Sequence, residues 1–267
     1  MLDLAFGQAT DPGRRPNNED AMGVYIPRSR QEARSRGWLF AVADGVGGLE
    51  AGEIASAQAV QAVMQGFASA PEDTSLASLL PRLIQHANAA VRDEGLRADR
   101  RHKGIATTLV ACALRNNFAQ IAHVGDSRCY LVRHGEARPL TNDHTWVNEQ
   151  RKLGLLSAAE AANSDSRHVL TRTLGPERFV AADSTAVTLH AYDLLVLCSD
   201  GIYGGLSTQD IARIASQSKD PEAIARDLVQ QAIAADDADN ATAQVISIRS
   251  VEAMSMYRGR PYTRSGA

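Results

Sequence analysis

No apolar run in this 267-residue chain approaches the length of a membrane-spanning helix, and the opening MLDLAFGQATD has neither the basic nor the apolar region of a signal peptide. Neither charge is in marked excess. With 28 basic and 31 acidic residues the formal net charge is -3 and the sequence pI about 6.2, which gives no electrostatic case for a nucleic acid or a membrane surface as partner. Cysteine is scarce: Cys112, Cys129 and Cys198 stand singly inside strand-like runs, with no C-x-x-C spacing, as core residues of a reducing compartment do. The seven histidines show no paired spacing and no cysteine cluster accompanies them, which disfavours zinc. These absences lead to the expectation of a soluble cytoplasmic protein, monomeric by default.

Hydrophobic residues make up 44% of the chain, enough for a substantial core. Strand-like runs occupy 4–9, 21–26 and 38–45, followed by two amphipathic helices over 53–68 and 75–95, the second started or kinked at Pro81. TTLVACAL, FAQIAHVG and CYLVRHG then read as an antiparallel meander. Residues 143–166 turn polar and Ala-rich, with short helical pieces, and form a candidate flap. Strands resume at VLTRTLG, ADSTAVTL and DLLVLCSDG; a second helix pair and a last strand, TAQVISIRSV, follow. Strand clusters alternating with helix pairs, without a βαβ rhythm, predict an α+β fold: two stacked antiparallel β-sheets flanked by pairs of α-helices. The expected organisation is a single domain over 1–253 and a flexible tail over 254–267.

Acidic residues recur at the strand ends. AVADG ends an apolar run in Asp44, LVLCSDG ends another in Asp200, and AHVGDSR ends a third in Asp126; Asp239 precedes the final strand, and Glu19 and Asp20 precede the second. Any one Asp-Gly is by itself a turn signal. Five such ends meeting at one rim would repel one another unless a cation joined them. Hard divalent ions, Mg²⁺ or Mn²⁺, take carboxylate, carbonyl and water oxygens, and a shared carboxylate bridges two of them. On spacing alone the turn reading and the metal reading both stand.

Together these residues resemble the metal-dependent protein phosphatase family, the type 2C serine/threonine phosphatases, in its bacterial branch. The matching stretches run in the family's order: RPNNEDA (15–21), FAVADGVGG (40–48), GIATTLV (104–110), AHVGDSRCYL (122–131), LTNDHTWV (140–147), VLTRTLG (169–175), LLVLCSDGIY (194–203) and DNATAQVI (239–246). The resemblance implies hydrolysis of phosphoserine and phosphothreonine esters by metal-activated water at a dinuclear Mn²⁺/Mg²⁺ centre, opposing a bacterial Ser/Thr kinase. It implies that Asp44 is shared by both metals, that the Gly45 carbonyl lies on one of them, and that Asp200 and Asp239 complete the shell of the first metal. Glu19 would approach the second ion and Asp20 would orient its water. Asp126, with Asp200, would hold a third, weaker ion. Arg15 would bind the substrate phosphate, a role that suits a planar, permanently charged guanidinium.

The chain departs from the pattern in three places. Val46 stands where many eukaryotic members carry a histidine general acid, as is common in bacterial members, so the leaving alkoxide would take its proton from water, with His144 the weaker alternative. Ala106 replaces a frequent glycine, and the loop before Arg15 is one residue short; neither removes a ligand. The competing expectation is a silent, phosphoprotein-binding pseudophosphatase, against which the intact acid set argues.

Overall fold

The computed structural model describes residues 2–46, 51–97, 104–157, 160–161, 164, 166–236, 238–251, 254–257 and 260–263. The glycine pair 47–48, parts of the expected flap and parts of the expected tail lie outside the described residues. In chain order the elements are β1 (Asp3–Asp11), β2 (Asp20–Tyr25), α1 (Arg30–Ser35), β3 (Trp38–Asp44), α2 (Gly52–Ser69), α3 (Leu76–Arg97), β4 (Leu109–Arg115), β5 (Phe118–Val124), β6 (Arg128–Arg133), β7 (Glu136–Pro139) and α4 (Trp146–Lys152). There follow β8 (Asp183–Thr188), β9 (Leu194–Cys198), α5 (Asp200–Gly205), α6 (Thr208–Ala215), α7 (Pro221–Ala235), β10 (Ala241–Ser250), β11 (Met254–Tyr257) and β12 (Arg260–Thr263).

Two five-stranded sheets form, in the orders β1-β10-β9-β6-β7 and β2-β3-β4-β5-β8, and every pairing in them is antiparallel. Their strands are apolar on both faces because both faces are covered. In β3, Leu39, Ala41 and Ala43 face α2 and α3, whereas Phe40 and Val42 face the other sheet. In β9, Val196 and Cys198 face the helices α5 to α7, whereas Leu195 and Leu197 meet the same inter-sheet layer. The expected helix–sheet–sheet–helix sandwich is thus the observed one. Alanines on the outer face of the β2 sheet meet Ala55, Ala59 and Ala62 of α2, and this pairing of small residues lets helix and sheet approach closely. All three cysteines are buried and free; Cys112 and Cys129 pack between the sheets, and Cys198 packs under the helices.

Local chemistry sets the helix boundaries. Ser207 and Asp210 form a reciprocal capping box on α6, and Asp220 caps α7 just ahead of Pro221 at its first position. Pro81 lies inside α3, near neither end.

Two local expectations, the strand over 169–175 and the turn at Asp200, need correction, and two further elements are found beside them. The stretch 169–175 forms no strand: it makes single bridges, Thr145 with Leu170 and Thr107 with Leu174, as it crosses the sheet end. Residues 30–35 form the short helix α1, and Asp200 opens helix α5 instead of a turn. Within the expected tail, β11 and β12 pair as a two-stranded hairpin.

Candidate metal centre

The antiparallel register brings the predicted acids to one end of the sandwich from both sheets. Asp20 opens β2 directly opposite Asp44, the last residue of β3, and the Gly45 amide donates to the Glu19 carbonyl at 3.0 Å. The Asp44 backbone is pinned on both sides: its amide donates to Thr108 Oγ1 at 3.0 Å, and its carbonyl accepts from Thr107 Oγ1 at 2.7 Å and from the Thr108 amide at 2.8 Å. Asp126 follows β5, Asp200 follows β9 and Asp239 precedes β10. Glycine is required where the backbones close in. A Cβ on Gly45 would lie 2.4 Å from the Gly52 backbone, and one on Gly201 would run into the Asn240 carbonyl.

The acids feel one another. Burial, and then the charges of Asp200, Asp20, Asp126 and Asp239, hold the Asp44 carboxyl well above the usual carboxylate range. Burial first and neighbouring acids next push Asp126 up to about 7. Burial likewise takes Asp20 and Asp200 to about 6, against the opposing pull of hydroxyl and amide hydrogen bonds. Glu19 is raised by burial and by Glu53, an acid of α2 that sequence reasoning did not single out. One oxygen of Asp20 accepts from the Ser199 hydroxyl at 2.7 Å; the other, Oδ1, is buried with no hydrogen-bond partner. A cluster of hard oxygen donors that raise one another's pKa values, with a buried carboxylate oxygen left unsatisfied, fits a divalent cation of the Mg²⁺ or Mn²⁺ type.

Arg15 reaches the same rim. Its Nε donates to the Ala238 carbonyl at 2.9 Å and its Nη2 to Asp239 Oδ2 at 2.9 Å, with both side chains of that ion pair nearly half exposed. Asn240 organises the backbone around it: its Oδ1 accepts from the Glu19 amide at 2.8 Å, and its Nδ2 donates to the Pro12 and Asn17 carbonyls.

Two further networks root the flap. Arg128 forms a two-toothed ion pair with Asp143 at 2.9 and 2.6 Å, and its guanidinium lies 3.4 Å over the ring of Tyr203, whose hydroxyl donates to the Asp126 carbonyl at 3.0 Å. The second network is the trio whose ligand atoms all lie within 4.8 Å of one another among the described residues: His123, His144 and Asp183. It is already filled by protein groups. The two rings stack at 4.7 Å, the Gly125 amide donates to His144 Nδ1 at 3.1 Å, and Arg172 lies 3.0 Å from Asp183 and 3.3 Å from His144 Nε2. Burial lowers His144 to about 4, and it is 1% exposed, so it is a neutral structural residue joining the two ends of the flap. Sequence spacing hides this trio because 21 and then 39 positions separate its members.

The protein phosphatase 2C profile matches residues 17–247, a span that begins two positions after Arg15. The protein phosphatase PhpP of Streptococcus pneumoniae is 31% identical over 247 residues, 91% of this chain and 97% of that protein. The solved structure of the S. agalactiae serine/threonine phosphatase superposes with a TM-score of 0.81 at 31% identity, covering 92% of this chain and 100% of that one. The catalytic domain of the serine threonine protein phosphatase PstP, solved in complex with two manganese ions, superposes with a TM-score of 0.77 at 30% identity, covering 94% of this chain and 100% of that one. With its sandwich, its acidic rim and these relatives, the chain belongs to the protein phosphatase 2C family, the metal-dependent serine/threonine protein phosphatases, whose cofactor is Mn²⁺ or Mg²⁺.

Proposed function

We propose that the rim holds two Mn²⁺ or Mg²⁺ ions and hydrolyses phosphoserine and phosphothreonine esters of proteins phosphorylated by a Ser/Thr kinase. The observation that carries this reading is that Asp44, Asp20, Asp126, Asp200 and Asp239, from two sheets, act on one another's charge, with Glu19 beside Asp20 and one buried Asp20 oxygen, Oδ1, left without a partner. In this assignment Asp44 is shared between the two sites, the Gly45 carbonyl serves one of them, and Asp200 and Asp239 complete it. Glu19 serves the other site, and Asp126 with Asp200 forms a third, weaker one. Bound divalent cations supply positive charge to the phosphoryl oxygens and activate water as the nucleophile.

The chain's own groups do the rest. Asp20, fixed at Oδ2 by Ser199, presents Oδ1 to orient the attacking water. Arg15 sits beside Asp239 on an exposed arm and turns its guanidinium to the phosphate. A non-bridging pair of phosphate oxygens matches the fork of that guanidinium, and the contact forms in ground and transition states alike. His144, the alternative to the histidine general acid that Val46 replaces, is buried and neutral, and in this reading the leaving alkoxide is protonated by water. We place the protein in the cytoplasm as a monomer; no helix among the described residues is long and apolar enough to cross a membrane.

Turnover of a phosphothreonine peptide tests the reading. It is expected to require Mn²⁺ or Mg²⁺ and to stop in EDTA; binding of the peptide without turnover would favour the pseudophosphatase instead. Arg15→Ala is expected to raise KM about 10- to 100-fold, the worth of one charge-assisted hydrogen-bond pair, while Mn²⁺ binding measured by calorimetry is retained. An unchanged KM would move the phosphate-binding role to another cation.

A further inference from the structure

Six acids drawn from two sheets repel one another, and the repulsion acts to spread the sheets at the rim. Among the described residues, side-chain links through Ser199, Asn240 and the Thr108–Ser127 pair cross from one sheet to the other there, and they follow one pattern. Ser199, at the end of β9, donates its hydroxyl to Asp20 Oδ2 at 2.7 Å and accepts from the Thr242 amide at 3.0 Å. Asn240, at the start of β10, accepts from the Glu19 amide at 2.8 Å. Thr108, at the start of β4, accepts from the Asp44 amide at 3.0 Å and shares a 2.6 Å hydrogen bond with Ser127, just ahead of β6.

Each link therefore has one end on an acid of the β2 sheet and the other on a residue next in sequence to another rim acid: Ser199 beside Asp200, Asn240 beside Asp239, Ser127 beside Asp126. All four linking side chains are buried, from 0% exposed for Ser199 to 5% for Asn240. Below them the sheets meet through an apolar layer of Phe40, Val42, Val110, Leu195, Leu197 and Ile246. Hydroxyls and an amide carry a desolvation cost at such a place, and Ala or Val would fill it. What the polar groups add is a fixed distance, since a hydrogen bond is stiff in length and direction where apolar contact is not.

We infer that Ser199, Asn240 and the Thr108–Ser127 pair form a gauge that sets the separation of carboxylates contributed by the two sheets, and with it the affinity of the centre for divalent cations. They are positioning residues: the side-chain oxygen of each is engaged in hydrogen bonds within the protein, and each link fixes the backbone or carboxylate of a rim acid. The inference rests on the metal centre proposed above. It extends that reading to residues that no Asp-Gly or strand-end signal marks. It also assigns each link a pair of rim acids: Ser199 to the water-orienting Asp20 and the ligand Asp200, Asn240 to Glu19 and Asp239, and Thr108–Ser127 to Asp44 and Asp126.

Calorimetric titration of the metal-stripped full chain with Mn²⁺ tests the gauge. Ser199→Ala and the near-isosteric Thr108→Val are each expected to weaken Mn²⁺ binding about 10- to 100-fold, the range for groups that orient metal ligands. Thr108→Ser, which keeps the hydroxyl, is expected to bind within about threefold of the parent. Excess Mn²⁺ is expected to restore most of the kcat lost in Ser199→Ala without altering KM for the phosphopeptide. Gln244→Met serves as the control for general loosening. Gln244 also crosses the sandwich, donating to the Gly23 carbonyl at 3.2 Å, but it pairs with no rim acid, so its loss should leave Mn²⁺ affinity alone. If Ser199→Ala and Thr108→Val bind Mn²⁺ as the parent does, or lose no more than Gln244→Met, the gauge is overturned. Asp44→Asn in the same titration separates the two levels. Unaltered Mn²⁺ binding in Asp44→Asn overturns the metal centre itself; lost binding there with intact binding in the link variants overturns the gauge alone.

Discussion

Replacing Asp44 by alanine is expected to lower kcat/KM toward a phosphothreonine peptide by about a thousandfold or more, and Asp200→Ala is expected to do the same. Asp44 stands opposite Asp20 in register and is the acid on which the charges of Asp200, Asp20, Asp126 and Asp239 all bear. Removing it takes away the carboxylate proposed to be shared, and with it the transition-state charge stabilisation of several kcal/mol that a bound cation supplies. The loss should not come from unfolding. The Asp44 backbone stays pinned by Thr107 and Thr108 whatever its side chain, and deleting one of several repelling acids relieves the metal-free protein. Circular dichroism and a melting curve in EDTA, expected to be unchanged or raised, separate the two causes. Turnover near the parent level in both variants would remove the rim from the reaction.

The second large effect is on stability, and its sign is opposite to that of a protein held by ion pairs. Unfolded, an aspartate titrates near 3.8; in the fold Asp20 and Asp200 titrate at about 6, Asp126 at about 7 and Asp44 well above its ordinary value. Between those limits the native state holds protons that the unfolded chain has released. Stability is therefore fullest below about pH 4 as far as these groups are concerned, and is lost as pH rises through 6 to 7. His144, lowered to about 4, and His123, lowered by burial, act the other way, with stability lost as pH falls below the ordinary histidine value of 6.5. From pH 6.5 upward the folded histidines stay neutral while the unfolded ones shed their remaining protons, which can only raise stability with pH, so a net fall belongs to the carboxylates. In EDTA the melting temperature is expected to fall on the order of 5 °C from pH 6.5 to 8. Mn²⁺ is expected to remove the fall, because a bound cation takes the acids in their ionised form. Asp126→Asn should flatten the slope in EDTA. A melting temperature in EDTA that is flat or rising over this window would contradict the electrostatics of the rim.

Most of the sandwich is legible in the sequence because its strands alternate between two covered faces. WLFAVAD sends Leu39, Ala41 and Ala43 one way and Phe40 and Val42 the other, and this is what the apolar run encodes. The acids are legible for a related reason: a charged residue at the end of such a run has nowhere to sit but the rim. The sequence is silent where tertiary packing overrides local preference. Residues 169–175 have strand composition yet cross a sheet end, where they meet Thr145 and Thr107 one bridge at a time. Asp200 reads as a turn beside Gly201, but it opens a helix behind Ser199, which Gly201 permits by passing against the Asn240 backbone. Ser199, Thr108 and Ser127 look like any small polar residues at strand ends. Their partners, Asp20 for Ser199 and Ser127 for Thr108, are 179 and 19 positions away, and no local pattern records that distance.

The pairing of β1 with β10 has a consequence for how the protein comes into being. Residues 3–11 lie against residues 241–250, so β1 has no neighbour in its sheet until residues 241–250 have been synthesised. At about 5–20 residues per second the nascent β1 waits on the order of ten seconds or more for its partner. The β2 sheet, whose strands all lie between residues 20 and 188, can assemble meanwhile, and it brings Glu19, Asp20 and Asp44. Asp239 arrives at the very end, just ahead of the strand that closes the other sheet. A chain that stops short of Asp239 therefore lacks part of the proposed rim, and hydrolytic activity is expected only once β10 has been made.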